Sequence, residues 1–264
     1  MKESYLDINK KLWNEKTAIH VRSDFYELED FMKGKSSLKD IELAILGDIK
    51  GKSILHLQCH FGQDSLSLAR MGAKVTGVDI SDKSIEKAIE LNEQLGLDAE
   101  FFCCDVYSSK DVINKKFDIV FSSYGTIGWL PDIEKWADIV SHFIKPEGRF
   151  VFAELHPAIW MYDAEFKNII YSYFNGDPIV ETTPGTYADQ SAAIEMKEIG
   201  WNHALSEVIG ALLRQGLTLN HFEEFNYSPH HCFQGMKELS PGKYIIAHIG
   251  DKLPMTYALE MIKK

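Results

Sequence analysis

Five residues able to handle a ligand stand at comparable points of the chain. Gly62, Asp79, Asp105, Tyr124 and His156 each lie at or just past the end of a short apolar run. A carboxylate in such a place accepts hydrogen bonds from ligand hydroxyl or amino groups. A glycine lets a backbone turn tightly or approach a ligand closely. A histidine that is neutral near physiological pH can take a proton. Asp79 is the strongest single candidate, because a carboxylate ending a second strand can accept from both hydroxyls of a ribose; a helix cap or turn is the plainer alternative. His156 sits in Glu154-Leu155-His156-Pro157, where the proline biases it toward extended backbone. It is the first candidate for a general base. His56, Cys59 and His60 could suggest a metal, but their spacing is tight and a structural cluster is the better reading.

The elements that must position these residues follow from the patterning. Ser53 to Leu57 reads as a strand, Gln63 to Arg70 as a helix, and Lys74 to Asp79 as a second strand. Ser81 or Asp82 can cap a helix with Ile85, Ala88, Ile89 and Leu91 on helical spacing, and Gly96 can stop it. Strands are expected at 100–104, 117–122 and 149–155, with a helix at 133–144. Such alternation means a mostly parallel sheet covered on both faces, with ligands beyond the carboxyl ends of the strands. Residues 1–50 read as helical. After Pro157 the pattern breaks. Asn175-Gly176-Asp177-Pro178 and Pro184-Gly185 separate β-prone runs, so 158–200 is expected to be a β-rich insertion. A helix from Asn202 to Gln215 and strands at 217–225 and 255–262 follow, with 229–253 read as a long loop.

Composition narrows the function classes. The formal charge of −11 disfavours extended contact with nucleic acid. No segment approaches the ~20 apolar residues of a membrane span, and the N-terminus does not read as a signal peptide. The four cysteines make no Cys-x-x-Cys pair, so a reducing cytoplasm is expected and a metal is not.

The stretch Ile54 to Gly62, then Val75 to Asp79, Asp105, Phe117-Asp118-Ile119-Val120 and Ile144-Lys145-Pro146-Glu147-Gly148 resembles the class I S-adenosylmethionine-dependent methyltransferases. The wording Leu55-His56-Leu57-Gln58-Cys59-His60-Phe61-Gly62 is similar to an uncharacterised bacterial branch of that family. The resemblance covers residues 50–155 and, loosely, the last strands. It implies a Rossmann-like, doubly wound, seven-stranded α/β sheet in one domain: helical lid 1–50, donor-binding core 51–157, acceptor-side insertion 158–200, and closing helix and strands 201–264.

It also implies S-adenosyl-L-methionine as the methyl donor and assigns its contacts. Asp79, with Ile80 beside it, would hold the ribose. Asp105 would accept from the adenine amino group, and the Val106 amide would serve a ring nitrogen. Tyr124 would face the methionine part, Gln58 and Gly62 would shape the donor loop, and Trp13 could close over it. The family loop usually reads Asp-x-Gly-x-Gly-x-Gly; here His56 replaces the acid and only Gly62 keeps a glycine. The missing glycines count more against a pyrophosphate-bearing dinucleotide than against a phosphate-free donor.

Methyl transfer is an in-line displacement whose catalysis is largely alignment and exclusion of water, with a base needed only for an acceptor that loses a proton. The insertion is rich in aromatic residues, Trp160, Tyr162 and Tyr187 among them, which suits a pocket for a small organic acceptor. The same residues could instead form a homodimer surface. A nicotinamide-dependent oxidoreductase and a non-catalytic donor-binding protein are the alternatives.

Overall fold

The computed structural model describes residues 4–264. Helix α1 (Tyr5–His20) starts at a reciprocal cap between Ser4 and Asp7. The short helices α2 (Leu28–Met32) and α3 (Asp40–Leu46) follow. The alternating part then runs β1 (Ser53–Leu57), α4 (Gln63–Arg70), β2 (Lys74–Asp79), α5 (Asp82–Gln94), β3 (Glu100–Cys103), α6 (Ser109–Val112), β4 (Phe117–Ser123), α7 (Ile133–Phe143) and β5 (Ile144–Leu155). Next come β6 (Ile179–Pro184), β7 (Glu195–Gly200), α8 (Leu205–Arg214), β8 (Leu217–Phe225), β9 (Met236–Ser240), β10 (Lys243–Ile246) and β11 (Thr256–Lys263).

Seven strands form one sheet in the order β3-β2-β1-β4-β5-β11-β8. The five strands from β3 to β5 pair in parallel, whereas β11 is antiparallel to both its neighbours. The sheet has the mostly parallel, Rossmann-like order, and its direction of winding reverses between β1 and β4. A crevice opens there, because the connections leave those two strands to opposite sides.

Both faces are covered, and the period of two along each strand shows it. Val120, Phe150 and Phe152 pack beneath Trp136, Val140 and Leu212 of α7 and α8. Their alternates Ile119, Phe121 and Val151 pack with Leu46 of α3 and Leu68 of α4. Burial on both sides makes these strands read as nearly continuous apolar runs.

The insertion after β5 contains the antiparallel hairpin β6–β7. The region expected to be a long loop contains a second hairpin, β9–β10, turning at Pro241-Gly242. That turn pair was the available signal. The strands around it are short and largely exposed, so no clear alternation marks them.

Candidate active site

A cavity of about 650 Å³ lies over the carboxyl ends of β1, β2 and β4. Helix α1 walls one side, and the two hairpin regions contribute to the rest. Gln58, Gly62, Asp79, Ile80, Asp105, Val106, Tyr124 and Trp13, all singled out in the sequence, line it.

The loop after β1 takes left-handed turns, two of them at residues other than glycine. Gln58 and His60 have φ of 55° and 50°, and Gly62 has 82°. Side chains therefore project from left-handed positions, an arrangement that persists only where the surroundings fix it. Gln58 Nε2 donates to the Thr126 carbonyl at 2.8 Å, tying the loop to the one after β4. His60 is fixed by a chain of hydrogen bonds with a definite direction. Thr17 Oγ1 donates to the Trp13 carbonyl, so Ser84 donates to Thr17, at 2.7 Å in each case. Ser84 then accepts from His60 Nδ1 at 3.0 Å, and His60 Nε2 accepts from His20 Nδ1 at 2.9 Å. Burial keeps both imidazoles neutral, lowering His20 to about 3 and His60 well below the ordinary value.

Gly62 is also constrained by its neighbours. A Cβ there would lie 2.9 Å from Ala88 Cβ and 3.0 Å from the Phe101 ring. Packing against α5 and β3 and the left-handed backbone both require a glycine there, and the residue also lines the cavity.

Asp79 ends β2 and is held from both sides. Its Oδ2 accepts the His60 N–H at 2.8 Å and its Oδ1 accepts the Ser81 N–H at 2.9 Å. Burial outweighs these bonds and pushes the carboxyl up to about 6. Ser81, not Asp79, caps α5. Asp105 caps a single 3₁₀ turn by accepting the Tyr107 N–H at 3.3 Å, and burial raises its carboxyl above the ordinary value.

The loop after β4 is gripped by two buried carboxylates that the sequence reading passed over. Glu154 accepts the Thr126 N–H at 2.7 Å, the Thr126 hydroxyl at 2.9 Å and the Ile127 N–H at 3.3 Å, besides the Gly125 N–H. Glu42 of α3 accepts the Tyr124 hydroxyl at 2.5 Å and the Lys39 N–H at 2.6 Å. Tyr124 has φ 39°, so its anchored phenol holds a left-handed turn in place. A polar residue flanked by apolar strand residues was the only signal for Glu154.

His156 does not reach the cavity. Its Nδ1 accepts the Ala158 N–H at 3.0 Å and its Nε2 bonds Glu224 Oε1 of β8 at 2.8 Å. Both nitrogens are engaged, one by its own segment and the other by β8. The general-base role expected for His156 is therefore corrected: Pro157 lines the cavity in its place. His56 and His60 also turn apart, His56 toward Ser65 Oγ at 2.8 Å. Among the described residues no cluster of three or more His, Cys, Asp or Glu could hold a metal ion.

Trp13 lies edge-on to His60 at 5.2 Å and to Trp129 at 5.3 Å, on the inner side of α1. Phe31, by contrast, is core, packed with Phe61, Leu66 and Leu91. Helix α1 is also tied to the insertion. Asn9 exchanges two hydrogen bonds with the Ile199 backbone, and Lys16 pairs with Glu198 at 3.1 Å.

Comparison with known proteins gives this arrangement its context. Residues 54–148 match the family described as Methyltransferase domain. That match spans the alternating part of the chain, from β1 into the start of β5. A ubiquinone biosynthesis O-methyltransferase of Coxiella burnetii is 29% identical over 163 residues, covering 61% of this chain and 64% of that one. The chain thus spans just under two thirds of the length of such methyltransferase relatives. The methyltransferase fold recurs in an S-adenosylmethionine dependent methyltransferase from Mesorhizobium loti, with TM-score 0.57 and 19% identity over 88% of this chain and 100% of that one. It recurs in the magnesium protoporphyrin IX methyltransferase of Synechocystis PCC 6803 with bound SAH, at TM-score 0.57 and 15% identity over 99% and 100%.

Proposed function

We propose that this chain is an enzyme that binds S-adenosyl-L-methionine and transfers its methyl group to a small organic acceptor. The observation that carries the reading is Asp79: a carboxylate at the end of β2, fixed by two backbone N–H groups and lining the cavity at the point where the sheet reverses.

The residues present suit the donor. Asp79 has lone pairs left over for two ribose hydroxyls. Asp105 and the Val106 amide suit an adenine edge, with Ile80 against the ring. The loop 58–62 keeps its left-handed turns, so methionine can lie along its backbone without glycines. Tyr124 and Gln58 flank that path. When bound, the donor supplies a methyl group on a positively charged sulfur, which leaves readily.

The protein's own work is then alignment and exclusion of water. Glu154 and Glu42 hold the loop after β4, against which the reacting groups would rest. Helix α1 and the hairpin β6–β7, joined through Lys16 and Glu198, cover the cavity. A small acceptor is supported by the cavity's size and its aromatic walls, Trp160, Tyr162 and Tyr187 among them. Among the described residues no helix is long and apolar enough to cross a membrane. A cytoplasmic site of action and a homodimer belong to this proposal too.

Calorimetry with S-adenosylmethionine, S-adenosylhomocysteine and NAD tests it. The first two should bind and NAD should not. Binding of NAD alone would favour an oxidoreductase. Binding without turnover on any acceptor would favour a non-catalytic receptor.

A further inference from the structure

With His156 turned away, the histidines that line the cavity are His56, His60, His203 and His230. Three are occupied. His56 lies in β1 beneath the loop, 2% exposed and bonded to Ser65. His60 uses both nitrogens. His203 Nε2 donates to the Leu130 carbonyl at 2.8 Å, and its Nδ1 faces Glu207 at 3.2 Å. The ring of His230 makes no hydrogen bond among the described residues, and it is only half-buried. It is carried by the segment between β8 and β9, where Ser228 Oγ accepts its backbone N–H at 3.1 Å.

We infer that His230 is the general base of the reaction and that the acceptor is an aromatic hydroxyl. This rests on the methyl-transfer reading above. The ring lies against Tyr124 at 4.8 Å, edge to face, and is stacked near Phe25 at 5.7 Å. Tyr124 follows β4 directly, so the free imidazole stands beside the loop that borders the donor site. Tyr187, against Phe25 at 5.4 Å, continues the aromatic wall. Such walls suit a flat aromatic acceptor.

The charged groups around the ring fit an oxygen that must lose a proton. Lys39, at the start of α3, and Asp64, in the first turn of α4, both line the cavity and act on His230 with opposite sign. Glu42 lies behind Tyr124, bonded to its hydroxyl. Burial and the Lys39 charge lower the imidazole to about 3, with Asp64 opposing, so it is an unprotonated acceptor throughout the neutral range. The positive Lys39 favours a developing phenolate and disfavours a cationic amine.

The step balances. The acceptor oxygen forms its bond to the methyl carbon while the carbon–sulfur bond breaks, the electron pair going to sulfur. The hydroxyl proton passes to His230, so the positive charge lost from sulfur reappears on the imidazolium. It then leaves to solvent as product departs.

The test uses the full chain and His230→Ala and His230→Asn. Probes are S-adenosylhomocysteine for the donor site, and phenol, catechol and protocatechuate against aniline and thiophenol as acceptors. Both variants should bind S-adenosylhomocysteine within about threefold of wild type. Methylation of a hydroxyl probe should fall by about 10–100-fold, the low end for general-base catalysis, because so lowered an imidazole is a weak base. At saturating donor the wild-type rate should be flat with pH through the neutral range, whereas the variant rate should climb toward the probe's own ionisation near pH ~10. In ¹⁵N spectra, the ring signal missing from His230→Asn should shift when catechol is added to the loaded wild type.

Several results overturn the inference while sparing the proposed function. They are methylation of only the amine or thiol, no methylation of any hydroxyl by donor-loaded protein, an unchanged hydroxyl rate in both variants, or a tenfold loss of S-adenosylhomocysteine affinity, which would put His230 in the donor site. Failure of wild type to bind S-adenosylmethionine at all would instead overturn the proposed function.

Discussion

Asp79 Oδ2 and the backbone N–H of His60 are joined at 2.8 Å, so the carboxylate ending β2 braces the loop that follows β1. One group thereby links the loops after β1 and β2 at the edge of the cavity. Its carboxyl is pushed up to about 6, chiefly by burial. The charged form accepts hydroxyls strongly through both oxygens, whereas the protonated form turns one oxygen into a donor and accepts more weakly. Affinity for S-adenosylhomocysteine should be constant above pH ~7 and fall by up to about tenfold per unit below the shifted value. Calorimetry at pH 7.5, 6.5 and 5.5 checks this, with Asp79→Asn expected to flatten the profile.

Glu42 couples α3 to the loop after β4 through the Tyr124 hydroxyl, and burial pushes its carboxyl up to about 8. Its folded value lies above the unfolded one of about 4.3. Its contribution to stability is therefore fully present below pH ~4 and is lost as pH rises through about 8. Thermal unfolding should show Tm falling from pH 6 to pH 9 in wild type, and falling less in Glu42→Gln. Equal slopes would remove Glu42 as the cause.

Glu154 satisfies four backbone N–H groups, of Gly125, Thr126, Ile127 and Leu155. Truncation leaves those donors buried and unpaired, each costing roughly 1–3 kcal/mol where water cannot replace the partner. Glu154→Ala should destabilise the fold by about 3–5 kcal/mol in denaturant titration, and Glu154→Gln by less. A neutral Glu154→Ala would mean that water replaces the carboxylate.

The cover over the cavity is closed in part by Lys16 and Glu198. Lys16 is 7% exposed and also lies 5.2 Å from the Trp13 ring and 5.3 Å from that of Trp129. Glu198→Gln should speed dissociation of S-adenosylhomocysteine about 3–10-fold, the scale of ~1 kcal/mol. It should also speed limited proteolysis within α1. Unchanged rates for both would make α1 a fixed wall.

The alternating core was legible because its signals are local. Apolar runs ended by Asp79 and Asp105 and the cap at Ser81 fall within a few residues of the elements they bound. This side of the cavity follows from strand ends alone, so Asp79, Asp105 and Tyr124 could be placed without seeing the fold. His156 could not. Its position at a strand end was correct, but β5 pairs with β11, beyond which lies β8, and Glu224 draws the ring away. Glu42, Glu154 and His230 were missed for a related reason. Each acquires its role from partners distant in sequence, Glu42 from Tyr124 and Glu154 from Thr126. His230 acquires it through a hairpin segment whose exposed strands left no clear pattern.

The most direct measurement is the affinity of S-adenosylhomocysteine for wild type and for Asp79→Ala by calorimetry at pH 7.5, with folding of both confirmed by their unfolding transitions. Wild type should bind. The variant should lose on the order of 1.5–3 kcal/mol, about 10–150-fold, the scale of hydrogen bonds to a charged group. Equal affinity in a folded Asp79→Ala protein would contradict the assignment of this cavity as the donor site.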